Sequence, residues 1–156
     1  MFKRLFIVVT ALFLVACSRG MSGPTTTTCA NAPGIIVGDE TVVIIEGYGE
    51  EIRTWTERTV LTREQLTQHL TEGEDLTDDE IAEMIEYLNT LEEAGFQWEL
   101  ISLDEDAAII EYVYDYEAIS NEVLSERWGV DDFEREVTLS SAIRGLEDQD
   151  AVCDIE

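Results

Sequence analysis

Residues 77–116 read TDDEIAEMIEYLNTLEEAGFQWELISLDEDAAIIEYVYDY. Thr77-Asp-Asp-Glu80 has the spacing of a capping box, with three acids where the first turn of a helix is positive. Ile81, Met84, Ile85, Leu88 and Leu91 then recur at helical spacing and form one apolar stripe, while Glu83, Glu86, Glu92 and Glu93 fall mostly off it. The pattern predicts a helix over 78–93, closed by Gly95. Directly after it the period shortens. Phe96–Leu103 begins by alternating, Asp104-Glu-Asp106 reads as a hairpin turn, and Ala107–Tyr116 alternates again. In that second strand Ala108, Ile110, Tyr112, Tyr114 and Tyr116 share one face, which is expected to meet the helix.

Upstream, a second hairpin is expected within Ile35–Leu61. Thr41–Glu46 is β-branched and apolar, Gly47-Tyr-Gly-Glu50 supplies a turn, and Glu51–Val60 is strand-like around Trp55. Thr62-Arg-Glu-Gln65 is another capping box, opening a short helix to about Leu70. Downstream, Ser120–Trp128 predicts a short helix ended by Gly129, and Val130–Glu136 reads as an acidic loop. Leu139, Ala142, Ile143 and Leu146 mark a last helix over 139–149, after which Val152-Cys153 closes the chain against the body. The order ββ-αα-ββ-αα predicts an α+β fold: an antiparallel sheet of about four strands, in two hairpins, with the long amphipathic helix and shorter helices packed on one face.

The N-terminus carries an address. Lys3 and Arg4 precede an apolar run, Leu5–Val15, shorter than the ~20 residues a membrane span needs. Leu14-Val-Ala-Cys17 matches a bacterial lipobox, which implies lipid transfer to the Cys17 sulfur and cleavage after Ala16. Residues 1–16 are thus expected to be a lipoprotein signal peptide. Residues 17–34, rich in Ser, Thr, Gly and Pro, are expected to be a lipidated flexible tether, and residues 35–156 a single α+β domain. The expected localisation is a bacterial cell membrane or outer membrane, with the domain lipid-anchored and extracytoplasmic. With Cys17 bound to lipid, Cys29 and Cys153 are the pair left over. Export permits a disulfide between them; two free thiols are the alternative.

The whole chain of 156 residues has a net charge of −26. Past the leader, seven arginines and no lysine face 35 acids, a charge of −28. That excess argues against nucleic acid and anionic headgroups as partners. It leaves the membrane, through the lipid on Cys17, and a protein or glycan of the envelope as expected partners. Oligomeric state is not legible.

No catalytic residues are assigned. His69 is the only histidine and no nucleophile elbow is present. The acidic clusters 72–75 and 78–80 and Asp104–Asp106 lack the spacing of a calcium loop, so no metal and no cofactor are expected. The candidate site is instead aromatic. If the helices cover one sheet face, Trp55, Trp98, Tyr112, Tyr114 and Tyr116 could form a shallow ligand platform on the other; core and cross-strand packing is the alternative.

The lipobox Cys17, the hairpin Val42–Glu57, the helix Ile81–Gly95 running into Phe96, the strand Tyr112-Val-Tyr-Asp-Tyr116 and the late helix closing on Cys153 together resemble the YehR-like family of small bacterial lipoproteins. The resemblance spans most of residues 40–156 and rests on hydrophobicity and turns. It implies an exported, lipid-anchored α+β domain and carries no established activity. The chain departs from the family pattern in its acidity and its lack of lysine beyond the leader. The expected function is a non-catalytic binding or accessory domain of the envelope. The alternatives are an extracytoplasmic hydrolase using paired carboxylates and a passive acidic surface component.

Overall fold

The computed structural model describes residues 23–34, 38, 40–71, 76–91 and 95–156. The lipobox, the signal peptide and the acidic cluster 72–75 lie outside the described residues. The elements run β1 (Pro24–Ala30), β2 (Glu40–Tyr48), β3 (Glu51–Thr62), α1 (Arg63–Thr71), α2 (Asp78–Leu91), β4 (Phe96–Leu103), β5 (Ala107–Asp115), α3 (Asn121–Trp128), α4 (Phe133–Glu136), α5 (Leu139–Glu147) and β6 (Val152–Ile155). All strand pairs are antiparallel, in the order β4-β5-β3-β2-β1-β6. The fold is α+β, with six strands among the described residues where four were expected.

Both expected hairpins form, and β3 joins β5 to make them one sheet. The two added strands are the correction. β1 lies within the expected tether, and β6 is the terminal stretch. Thr25–Thr28 hid its strand because alternation is invisible when one residue type occupies both faces. Yet Thr is β-branched and suits a strand, and Thr27 and Cys29 point inward, fully buried, opposite Ile45 and Val43. β6, at four residues, is too short to show a period. The stretch expected to be a loop, 130–136, also carries the single-turn helix α4, capped by Asp132.

The sheet buries one face. Ile45, Trp55, Tyr114 and Phe96 lie side by side across four strands, and Val43, Glu57, Tyr112 and Trp98 form the next row. All eight are less than a tenth exposed. Ile81 and Ile85 of α2, Leu66 of α1, Leu124 of α3 and Leu139, Ile143 and Leu146 of α5 complete the core. The opposite face is threonine-rich and half-exposed, with Thr28, Ile44, Thr56 and Val113 in one row and the Arg58–Glu111 ion pair in the next.

Side-chain caps hold the helices. At α1, Gln65 Oε1 accepts from the Thr62 N–H at 2.6 Å while Thr62 Oγ1 accepts from the Gln65 N–H at 3.2 Å. Thr77 and Glu80 repeat the exchange at α2, and Thr138 with Ser141 does so at α5. The hydrogen bonds from Thr77 hold the Glu80 carboxyl below its ordinary range. Glu50, in the β2–β3 turn, accepts from the Ser140 hydroxyl at 2.7 Å and its N–H at 3.1 Å, tying that turn to the start of α5. These bonds lower the Glu50 pKa. In the β4–β5 turn, Asp104 Oδ1 accepts from the Ala107 and Asp106 N–H groups, which lowers its pKa too. Gly95 enters β4 at φ 97°, and a Cβ there would stand 2.4 Å from Ile119, so only glycine fits.

Candidate functional site

The helices do not cover the buried face evenly. Under α1 and α2 the packing is closed: Trp98 meets Tyr112 at 4.6 Å between ring centroids, and His69, on the exposed side of α1, lies over Trp98 at 5.7 Å. Toward β3 and the C-terminal half, α3 and α5 stand apart. Between them a cavity of about 660 Å³ opens onto the sheet. Trp55 and Glu57 of β3 and Tyr114 of β5, with Tyr116 just beyond it, form its floor. Arg127, Trp128 and Val130 form one wall, Glu136 and Val137 the end, and one face of α5 the other wall.

Each wall follows from local chemistry. α3 starts on the Ser120 cap and stops at Gly129, which takes φ 64° in the left-handed region and turns the chain back. That places Trp128 at the last position of α3, where its indole Nε1 donates to the Tyr116 hydroxyl at 3.1 Å and its ring stands edge-on to Trp55 at 5.3 Å. Phe133 supports it from α4, 5.2 Å from Tyr116. Ser141, Ala142, Gly145, Leu146 and Gln149 succeed one another along one face of α5 and its end.

The floor carries one carboxyl group, that of Glu57. Glu57 is 7% exposed, and its Oε1 accepts the Trp55 Nε1–H at 3.0 Å. The Arg127 guanidinium lies 3.6 Å over the Phe96 ring and 5.9 Å from that of Tyr114. Burial, then the negative charge of Glu57, push the Tyr114 phenol far above its ordinary pKa, and burial raises Tyr116 likewise. Both stay neutral hydroxyls at any physiological pH. A second, smaller cavity of about 420 Å³ lies between the Glu50 turn, Leu124 and Phe133. Among the described residues no group of three or more His, Cys, Asp or Glu side chains could hold a metal ion.

The expected platform on the open sheet face does not form. Trp55, Trp98, Tyr112, Tyr114 and Tyr116 all lie on the helix-covered face, each at most 8% exposed. The inward parity of β5 carries its tyrosines under the helices, and β3 and β4 follow it in register. Trp98 and Tyr112 are core. Trp55, Tyr114 and Tyr116 line the cavity, so three of the five candidates meet at one site, on the helix-covered side where the alternation of β5 puts its tyrosines and not on the open face of the expected platform. Glu57, Arg127 and Trp128 were missed. The signal for Glu57 was present: it shares the inward parity of Trp55, Thr59 and Leu61, so a carboxylate stood on an apolar face.

No protein-family model matches the chain, and no curated protein matches it in sequence. Solved structures do share its fold. The solution structure of the YehR protein of E. coli superposes with a TM-score of 0.56 at 16% identity, over 86% of this chain and 92% of that one. The solution structure of a protein from Streptococcus pneumoniae TIGR4 superposes with a TM-score of 0.53 at 13% identity, over 99% of each chain. The chain has a YehR-like fold. Identities this low carry the fold and no activity.

The Cys29–Cys153 pair is bridged, with the two Cα atoms 4.0 Å apart. The two residues face each other directly across β1 and β6. Thr26 and Glu156, three positions on, exchange both backbone hydrogen bonds, so Cys29 and Cys153 fall at a non-hydrogen-bonded position. There the Cα atoms of antiparallel strands come closest.

Proposed function

We propose that this chain is an envelope lipoprotein of the YehR-like kind, carried outside the cytoplasm on a lipid at Cys17. Its folded domain is a non-catalytic binding module, and the cavity between β3, β5 and α5 is its binding site. The observation that carries the reading is that cavity: concave, aromatic-walled and large enough for a small ligand, with few polar groups at its floor. The leader residues support export, as does the disulfide, a bond that persists in oxidising compartments. The partner is a small molecule or the small protruding group of a protein or glycan of the envelope.

Labelled palmitate tests the anchor. The full chain expressed in a bacterium should take up label and sediment with membranes, and Cys17→Ala should lose label and either leave the membrane or accumulate unprocessed. A Cys17→Ala protein that stayed processed and membrane-bound overturns the anchor. The hydrolase alternative draws on Glu57 and Glu136, which line the same cavity. Glu57 already accepts an indole N–H, so one of its oxygens is engaged by the protein itself.

A further inference from the structure

The cavity also indicates what enters it, if it is the binding site. Its aromatic rings meet at right angles: Trp55 and Trp128 at 86°, Tyr114 and Tyr116 at 86°. Perpendicular rings give the walls of a box, and ring faces attract cations. The same aromatic cluster already holds one cation, since Arg127 lies over Phe96 with Tyr114 beside it. The formal charges lining the cavity are Glu57, Glu136 and Arg127, one negative in sum, within a chain of net charge −26. The field at its mouth therefore draws cations and repels anions. The walls lack the several oxygen ligands a hard metal ion needs, so the fitting cation is a weakly hydrated organic one.

Gly145 makes the room. It lies midway along the cavity-facing side of α5, and a Cβ at that position would meet nothing within 4 Å. Glycine inside a helix costs up to about 1 kcal/mol relative to alanine, and no packing contact requires it here. What its lack of a side chain does is leave a notch in the wall opposite the tryptophans.

We propose that the cavity binds a substituted ammonium ion, the cationic head seated against Trp55 and Trp128 and the alkyl substituents in the notch at Gly145. The inference rests on the cavity being the binding site, and a matched pair of probes separates the two claims. Choline and its uncharged isostere 3,3-dimethyl-1-butanol differ in the charge of the head and little in its shape. Each is titrated into the full chain while the indole N–H resonances are followed by NMR. Choline should shift Trp55 and Trp128, leave Trp98 in place, and bind about tenfold tighter than the alcohol. Gly145→Leu should abolish both titrations, while Gly145→Ala, which suits the helix better, should raise the unfolding midpoint. If the alcohol binds as tightly as choline, the cationic class is overturned and the cavity stands as the site. If neither probe moves Trp55 or Trp128, both claims fall. Choline binding that survives in folded Gly145→Leu removes the notch from the site.

Discussion

The two edges of the sheet are closed by different means. At the β4 edge the cover is local. α2 ends seven residues before Trp98, and Asn89 in its last turn brings its amide onto that strand: Nδ2 donates to the Trp98 carbonyl at 2.9 Å, and Oδ1 accepts from the Trp98 N–H at 2.7 Å. One side chain stands in for the next strand of the ladder and blunts an edge that would otherwise invite pairing. At the other edge the closing strand is β6, only four residues long, with Val152 68% exposed and Ile155 48% exposed. It is pinned by a covalent bond between residues 124 positions apart. The first edge is built by contacts that form as the helix and hairpin form. The second depends on closing almost the whole chain. The cavity lies between the two edges: β3 and β5 form its floor, and α5, one of its walls, is held by its Glu50 cap and by β1 and β6 beneath it.

Breaking the disulfide tests this difference most strongly. Replacing Cys29 and Cys153 by alanine should cost about 3–5 kcal/mol, because the bridge closes so long a loop in the unfolded chain. The loss should also be uneven. In native-state hydrogen exchange the β6 and β1 amides should lose protection first, while β4 and β5 amides keep theirs up to global unfolding. Equal loss at both edges would mean that the sheet opens as one unit and that the comparison has no energetic content.

Asn89→Ala attacks the local edge. It removes two hydrogen bonds to the backbone of β4, at roughly 0.5–1.5 kcal/mol each, so urea denaturation should show a loss of about 1–3 kcal/mol. Light scattering should also show more self-association, since the bared edge of β4 can pair with another chain. A variant that loses stability yet stays monodisperse would show that Asn89 braces α2 without guarding the edge.

The same contrast decides what could be read in the sequence. Residues 77–116 were legible because every signal lies within forty positions: a capping box, a helical stripe, a glycine stop and an alternating hairpin. Nothing comparable marks Thr25–Thr28 or Val152–Ile155, whose strands exist because they pair with each other and with β2. Cys29 was the clue in view. A cysteine that can bridge to the end of the domain has to lie on the domain, and its neighbours with it. The aromatic site was half legible for a related reason. Parity placed Tyr112, Tyr114 and Tyr116 on one face, but the gap between α3 and α5 that turns some of those rings into a cavity wall is a matter of how helices distant in sequence dock.

The smallest effect sharpens the comparison from the β1 side. Thr27 is fully buried, and its hydroxyl has no hydrogen-bond partner among the described residues. It faces Ile45 on β2 and Ile155 on β6, an apolar setting in which an unsatisfied hydroxyl costs about 1–3 kcal/mol. Valine has nearly the same shape, is at least as good in a strand and carries no polar atom. Thr27→Val should therefore stabilise the chain by about 1 kcal/mol, seen as a higher denaturation midpoint with an unchanged slope. The gain should also slow exchange at β6, whose partner strand is better seated, and leave β4 as it was. A comparable loss of stability would mean that the hydroxyl is satisfied in solution. The weakness of this edge would then lie in the shortness of β6 and not in the packing of the threonine strand beside it.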